Sequence, residues 1–174
     1  MIPYTTLREL RQEGACIDRY KHLKKCLGKC GDDDPIALVE ILEHNGLDDV
    51  LWIPRSIVHG DNVSKRYRLF AVACCHNILH LMNDQRSRDA VKAAHLFAYG
   101  EISNEELDAA WDAAGPVAGS VAGSVALAAA RSVAWDAAGP VAWDAARAKQ
   151  TEQFKIIFGA DFSGSFEATG GRVE

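Results

Sequence analysis

AWDAAGPVAGSVAGSVALAAARSVAWDAAGPVAWDAA, residues 110–146, admits three readings: a spacer, a membrane span or packed helix. AWDAAGPVA at 110–118 recurs at 134–142, an offset of 24 residues, and AWDAA returns at 142–146, so the stretch is an internal repeat. Alanine, the best helix former, dominates where a flexible linker would be rich in glycine and serine, and tryptophan and valine give it something to bury. The uncharged interval between Asp112 and Arg131 is shorter than the roughly 20 apolar residues of a span and is interrupted by Gly-Pro. Packed helix remains. Gly115, Gly119 and Gly123 lie four apart and leave one helix side almost bare, which lets main chains approach closely. Each interior glycine costs up to about 1 kcal/mol relative to alanine, so such a helix depends on tertiary contact. Pro116 and Pro140 would each cost about 3 kcal/mol inside a helix and little in its first turn, which places breaks at Gly115 and Gly139. Three helices are predicted, 104–114, 116–138 and 140–158, stacked through Trp111, Trp135 and Trp143.

Working outward, helix signals follow one another from the N-terminus. Thr6 and Glu9 have the form of a capping box and open a short helix that ends near Gly14. In ACIDRYKHLKKCLGKCG, Ile17, Tyr20, Leu23 and Leu27 recur at spacings of three and four, with lysines opposite. Asp34 and Pro35 read as an N-cap and first-turn proline opening PIALVEILEHNG, which Asn45 and Gly46 close. LDDVLWI adds a turn or two before Pro54, and HGDN at 59–62 is a turn. SKRYRLFAVACCHNILHLMND, 64–84, is apolar around most of its circumference and is predicted to be the central buried helix. Asp84 caps its successor, in which Val91, Ala94, Phe97 and Ala98 share a face, and Gly100 ends it. Ser103 and Glu106 form another capping box. No segment alternates with period two over a useful length, so no appreciable sheet is expected.

The chain of 174 residues, 48% apolar, fits one all-α domain over 1–159, of six to eight helices: N-terminal helices in 1–100 and an Ala/Gly-rich helical stack in 101–159. The composition of 160–174 is that of a flexible tail. MIPYTTLRELRQE lacks the charged segment and apolar run of a signal peptide, which predicts a cytoplasmic location. An odd set of five cysteines then reads as reduced thiols. The net charge of −5 is uneven: residues 1–100 hold 14 Lys/Arg against 13 Asp/Glu, whereas 101–174 hold 5 against 11. Nucleic acid would find little to hold in the C-terminal part.

Two lines of soft and nitrogen ligands stand at helical spacing: His76 and His80 beside Cys74 and Cys75 with Asp84 beyond, and His22, Cys26 and Cys30. Such spacing can present metal ligands on one face, but neither line has the C-x-x-C knuckle of a zinc site, and cysteine is among the most buried residues as a plain small hydrophobe. The core reading outweighs the metal one, and no sequence surrounding a cysteine marks a nucleophile. Arg19, Lys21, Lys24, Lys25 and Lys29 read as a solvated helix face rather than a phosphate contact, and no phosphate-cradling glycine motif occurs. Glu101, Glu105, Asp108 and Asp112 can line one face; paired carboxylates suit acid–base work, but nothing in the sequence forces a pKa shift on them. They are the candidate partner-binding residues. No catalytic, cofactor-binding or metal residue is assigned.

GACIDRYKHLKKCLG with GLDDVLWI, then YRLFAVACCHNILHLMNDQRSRDAVKAAHLFAYGEISNEELDAAWDAA, then the Trp/Ala repeat, together about 14–158, resemble the alanine-rich small proteins of bacteria and phages identified as immunity proteins. The RLFAVACC to EEL block is the most specific part. This sequence departs from the usual pattern in carrying Gly-Pro within the alanine repeat. The resemblance implies an all-helical fold and binding of a harmful protein; in a phage the corresponding role is counter-defence, as in an anti-CRISPR. It implies no catalytic residue. The expected function is thus a non-enzymatic inhibitor that binds another protein with a basic surface, through the acidic C-terminal helices or the exposed N-terminal ones. The rivals are a metal- or thiol-dependent enzyme built on the His/Cys lines and a self-assembling module that pairs its small-residue face with a second copy.

Overall fold

The computed structural model describes residues 1–77, 79, 84–114 and 144–163. They fall into two units: Met1–Ser64 with Phe154–Phe162, and the residues within Lys65–Gln153 with Ser163. The composition boundary at residue 100 lies inside the second unit. Among the described residues the fold is all-α apart from one minimal sheet.

The first unit begins with β1 (Tyr4–Thr5) and α1 (Leu7–Gln12). The capping box at the start of α1 is as expected: the Glu9 N–H donates to the Thr6 hydroxyl at 3.2 Å and the Thr6 N–H donates to the Glu9 carboxylate at 3.1 Å. Two amides that the first turn leaves unpaired are thereby satisfied. In α2 (Ile17–Leu27) the apolar stripe is narrower than its spacing suggests, with Leu23 2% exposed and Ile17 60% exposed. Ile17 is the first helical residue, and its side chain leans back past the end of the packed face.

Asp34 and Pro35 do not start a helix. They lead into β2 (Ile36–Ala37), which pairs antiparallel with β1, Tyr4 opposite Ala37 and Thr5 opposite Ile36. Asp34 instead closes a turn, its carboxylate accepting from the Gly31 N–H at 2.7 Å. The buried Ile36 and the bond from Leu38 N–H to the Pro3 carbonyl, 3.0 Å, are tertiary gains that a local cap cannot match. Helix α3 (Leu38–Asn45) therefore starts three residues later than expected and gives way at Gly46, φ +84°, to α4 (Leu47–Trp52). A 3-10 turn (Arg55–Ile57) follows, and His59 bridges Tyr4 through both backbone groups, at 2.9 and 2.8 Å. Gly60 is needed there: its φ is +124°, and a Cβ would stand 2.8 Å from the Ile2 carbonyl oxygen. Leu7, Leu38 and Val50 are fully buried in this unit, as are Phe154 and Phe158, whose rings stack at 4.1 Å.

The second unit contains most of α5 (Val63–His76), then α6 (Gln85–Tyr99) and α7 (Asn104–Ala114). Residues 144–158 are helical and form α8, of which 144–153 belong to this unit. α5 is shorter than the expected central helix: it ends at His76, and Asn77 lies in a turn, its side-chain amide donating to Gln153 at 3.0 Å. Asparagine competes for such bonds at the expense of helix. Leu69, Phe70, Val72, Ala73, Cys74 and Cys75 of α5 are buried as expected. Asp84 caps α6, Gly100 ends it in the left-handed conformation, and the Ser103–Glu106 box opens α7. Trp111 of α7 packs against Ala90 and Ala114. The predicted helix 116–138, the start of 140–158, Trp135, Trp143 and the three spaced glycines lie outside the described residues, as does 164–174 of the expected tail. Among the described residues no helix is long and apolar enough to cross a membrane.

Candidate partner-binding site

α7 is positioned by its buried side. Leu107 and Ala114 are 5% and 6% exposed, and Trp111, half-buried, packs with them toward α6. At about 100° per residue, Glu105, Asp108 and Asp112 project from the opposite side of the helix, and Glu101 lies in the turn just before it. All four carboxylates are exposed, and none has an ion-pair partner among the described residues. Glu105 is held below the usual carboxylate range by its own backbone N–H and by the Ser103 hydroxyl at the helix start. Glu106, also exposed, is committed to the capping box. The structure thus brings Glu105, Asp108 and Asp112 onto one solvent-facing side of α7, suited to long-range attraction of a basic surface, and leaves Glu101 off the helix, so the expected four-residue helical face is a three-residue one.

The two His/Cys lines fare differently. Burial pushes the Cys74 thiol up to about 12, with Cys75 adding to it, and burial pushes Cys75 up to about 11. Such thiols stay protonated and unreactive. Asp84 is committed to Arg86 and Ser87 at the start of α6, and His80 lies outside the described residues. The ring that His76 meets is one the sequence did not suggest: His95 on α6, with centroids 5.5 Å apart, followed by Tyr99 at 4.9 Å from His95. Burial, then the neighbouring His95, lowers the pKa of His76. His76 Nε2 and His95 Nδ1 are both buried without a hydrogen bond among the described residues. In the other line, Cys26 Sγ is 3.6 Å from His22 Nε2, while Cys30 donates to the Gly31 carbonyl at 3.5 Å. Among the described residues no group of three His, Cys, Asp or Glu is placed to hold a metal ion.

The basic cluster on α2 divides. Lys24 pairs with Asp32 at 2.8 Å, and Lys21, Lys25 and Lys29 are exposed. Arg19 turns away into a network on α3 and α4: it donates to both Asp49 carboxylate oxygens, at 2.8 and 2.9 Å, and to the Asn45 carbonyl at 2.7 Å. The Asn45 amide nitrogen donates in return to the Arg19 carbonyl, 3.0 Å, and to Asp49, 2.6 Å. These partners fix the amide's orientation, because the flipped form would set oxygen against two acceptors. Asn45 Oδ1 is left buried without a partner among the described residues. The network borders a hollow of about 260 Å³ lined also by Leu10, Leu23, Ile41, Tyr20 and Trp52. Sequence reasoning missed this feature. Asn45 and Trp52 read only as a helix stop and a helix end, and the Arg19–Asp49 contact spans 30 residues.

Comparison of the chain with protein-family models, with curated proteins and with solved structures gives no match.

Proposed function

We propose that the chain is a non-enzymatic protein-binding inhibitor of the immunity type, which neutralises another protein by engaging its basic surface. The carrying observation is the α7 face, where Glu105, Asp108 and Asp112, with Glu101 beside them, stand exposed opposite the buried side and without internal ion pairs among the described residues. Charges that a protein does not neutralise itself steer and select a complementary partner. The protonated, buried Cys74 and Cys75 thiols favour this reading over thiol catalysis. The sequence resemblance supports a harmful protein as the target, and a phage counter-defence role belongs to the same class.

Affinity capture from cells that carry the gene tests it, run in parallel with the wild type and with Glu105→Lys, Asp108→Lys and Asp112→Lys combined. A basic protein retained by the wild type at low salt, released as ionic strength rises, and not retained by the triple variant is the expected result. Equal retention by both forms, or retention indifferent to salt, overturns the α7 site. Stoichiometric zinc in the purified protein would favour the metalloenzyme instead.

A further inference from the structure

Where α2 meets the end of α3, His22 and Cys26 stand one turn apart on α2, both exposed, with Nε2 and Sγ 3.6 Å from each other. The same Nε2 is 3.2 Å from the carbonyl oxygen of His44, in the last turn of α3. Carbonyls of a last turn lack a partner within their own helix and carry its partial negative charge. A ring nitrogen thus has a sulfur on one side and an electron-rich oxygen on the other. The spacings are those around a tetrahedral ion. Zn–S of about 2.3 Å and Zn–N of about 2.05 Å at the tetrahedral angle set sulfur and nitrogen about 3.5 Å apart, and an oxygen at about 2.1 Å lies about 3.4 Å from the nitrogen. Sulfur and imidazole donors suit zinc, whereas magnesium and calcium prefer oxygen alone. Cys30, the third member of the line read from the sequence, stands beyond the helix and donates to the Gly31 carbonyl, so the third donor is main chain and not a side chain.

We propose that His22, Cys26 and the His44 carbonyl hold a zinc ion, with water in the fourth position, and that the ion clips α2 to the end of α3. In the free protein a proton on Nε2 joins the ring to the carbonyl, because two bare acceptors at that distance would repel. On loading, the ion takes that place, the ring carries its proton on Nδ1 instead, and the Cys26 thiol releases its proton to solvent. The site uses none of the α7 carboxylates and stands or falls apart from the basic-partner reading. Being exposed, it exchanges its ion with solvent and fills from added zinc, whereas the zinc of an enzyme built on the other His/Cys line would persist in Cys26→Ser.

The test is a titration of the reduced, metal-free full chain with cobalt(II), a coloured stand-in for zinc, followed by zinc itself. One equivalent of cobalt should develop a sulfur-to-cobalt charge-transfer band and the strong visible bands of a tetrahedral ion, and zinc should erase both. Cys26→Ser, at an exposed position, should abolish the charge-transfer band. His22→Gln should weaken cobalt binding by more than about tenfold, the least that even an outer-shell partner is worth, and Cys30→Ser should leave the spectrum unchanged. Zinc should also shift the His44 carbonyl carbon in NMR and raise the urea midpoint of the wild type but not of Cys26→Ser. Absence of the charge-transfer band, or a band that survives Cys26→Ser, overturns the site. Loss of the band in Cys30→Ser, or an unmoved His44 carbonyl, overturns the main-chain donor in favour of a side-chain one. The α7 triple variant should bind cobalt as the wild type does, so its failure to capture a partner and a failure of this site are told apart.

Discussion

The two units differ in how their charged side chains are paired. In the first, charges and amides are tied between separate segments: Arg8 to Asp33, Lys24 to Asp32, Arg19 to Asp49 and Asn45, His59 to Glu9. In the second, the α7 carboxylates lack ion-pair partners among the described residues, and two facing imidazoles on α5 and α6 bury a ring nitrogen each without a bond. Internal pairing fixes how segments meet, whereas exposed carboxylates left without an ion pair keep their interaction energy for something outside the unit, and buried unbonded nitrogens cost stability. The sharpest way to break this contrast is at Asn45, whose amide nitrogen makes two bonds, and at His95. Asn45→Ala removes the donor to the Arg19 carbonyl and to Asp49, and should lower stability by about 1–3 kcal/mol. His95→Phe removes a buried, unbonded nitrogen from a half-buried ring and should leave stability within about 0.5 kcal/mol or raise it. Urea midpoints at unchanged slope measure both. Equal losses would erase the distinction.

The capping boxes offer a finer version of the same contrast. Thr6→Ala and Ser103→Ala should each cost about 1 kcal/mol, with Thr6 the larger. Glu9, the reciprocal member of the Thr6 box, also takes the Thr5 hydroxyl at 3.2 Å and His59 at 2.6 Å, so losing Thr6 loosens β1 and the 59–62 turn as well. The Ser103 box is exposed, and its one further partner is the neighbouring Glu105 of the same helix start. Asp112→Asn works in the other direction: it relieves repulsion from Asp108 one turn away and should stabilise α7 by about 0.2–0.5 kcal/mol at low salt. A loss of stability in this variant would mean that Asp112 has a cation partner within the chain.

Whatever local chemistry decides was legible in the sequence. Both capping boxes, the Asp84 cap, the stops at Gly46 and Gly100 and the buried run of α5 follow from residues within four positions of one another. The acidic face of α7 follows from helical spacing in the same way. The illegible parts are contacts between distant segments. A two-residue ladder has no alternation to detect, so Ile36–Ala37 read as helix start until Tyr4 and Thr5 claimed it. The hollow needs Arg19, Asn45 and Trp52 from three helices, and the His76–His95 pair joins α5 to α6; neither leaves a motif.

The smallest effect is in the acid limb of stability, where the units should separate by pH. Burial, reinforced by His95, depresses His76 in the folded protein, so folded His76 binds fewer protons than the unfolded chain. Its contribution is complete above the ordinary histidine value of about 6.5 and is lost as pH falls through the depressed one. Glu9 is also depressed: burial alone would raise it, but bonds from His59 and Thr6, the His59 charge and the Thr5 hydroxyl together outweigh burial. Its contribution holds above the ordinary carboxylate value of about 4.3 and is lost below it. Acidification should therefore weaken the protein in two stages, the histidine of the second unit first and the carboxylate of the first unit later. His76→Gln should flatten the slope of urea stability below about pH 6.5 and leave the carboxylate limb intact, while Glu9→Gln flattens the limb below about pH 4.3. Because His76 is only half-buried, its stage is shallow, and the slope rather than the midpoint carries the information. Parallel slopes for the wild type and His76→Gln would mean that the unbonded imidazole is solvated in the folded state, and the contrast between tied and open units would rest on α7 alone.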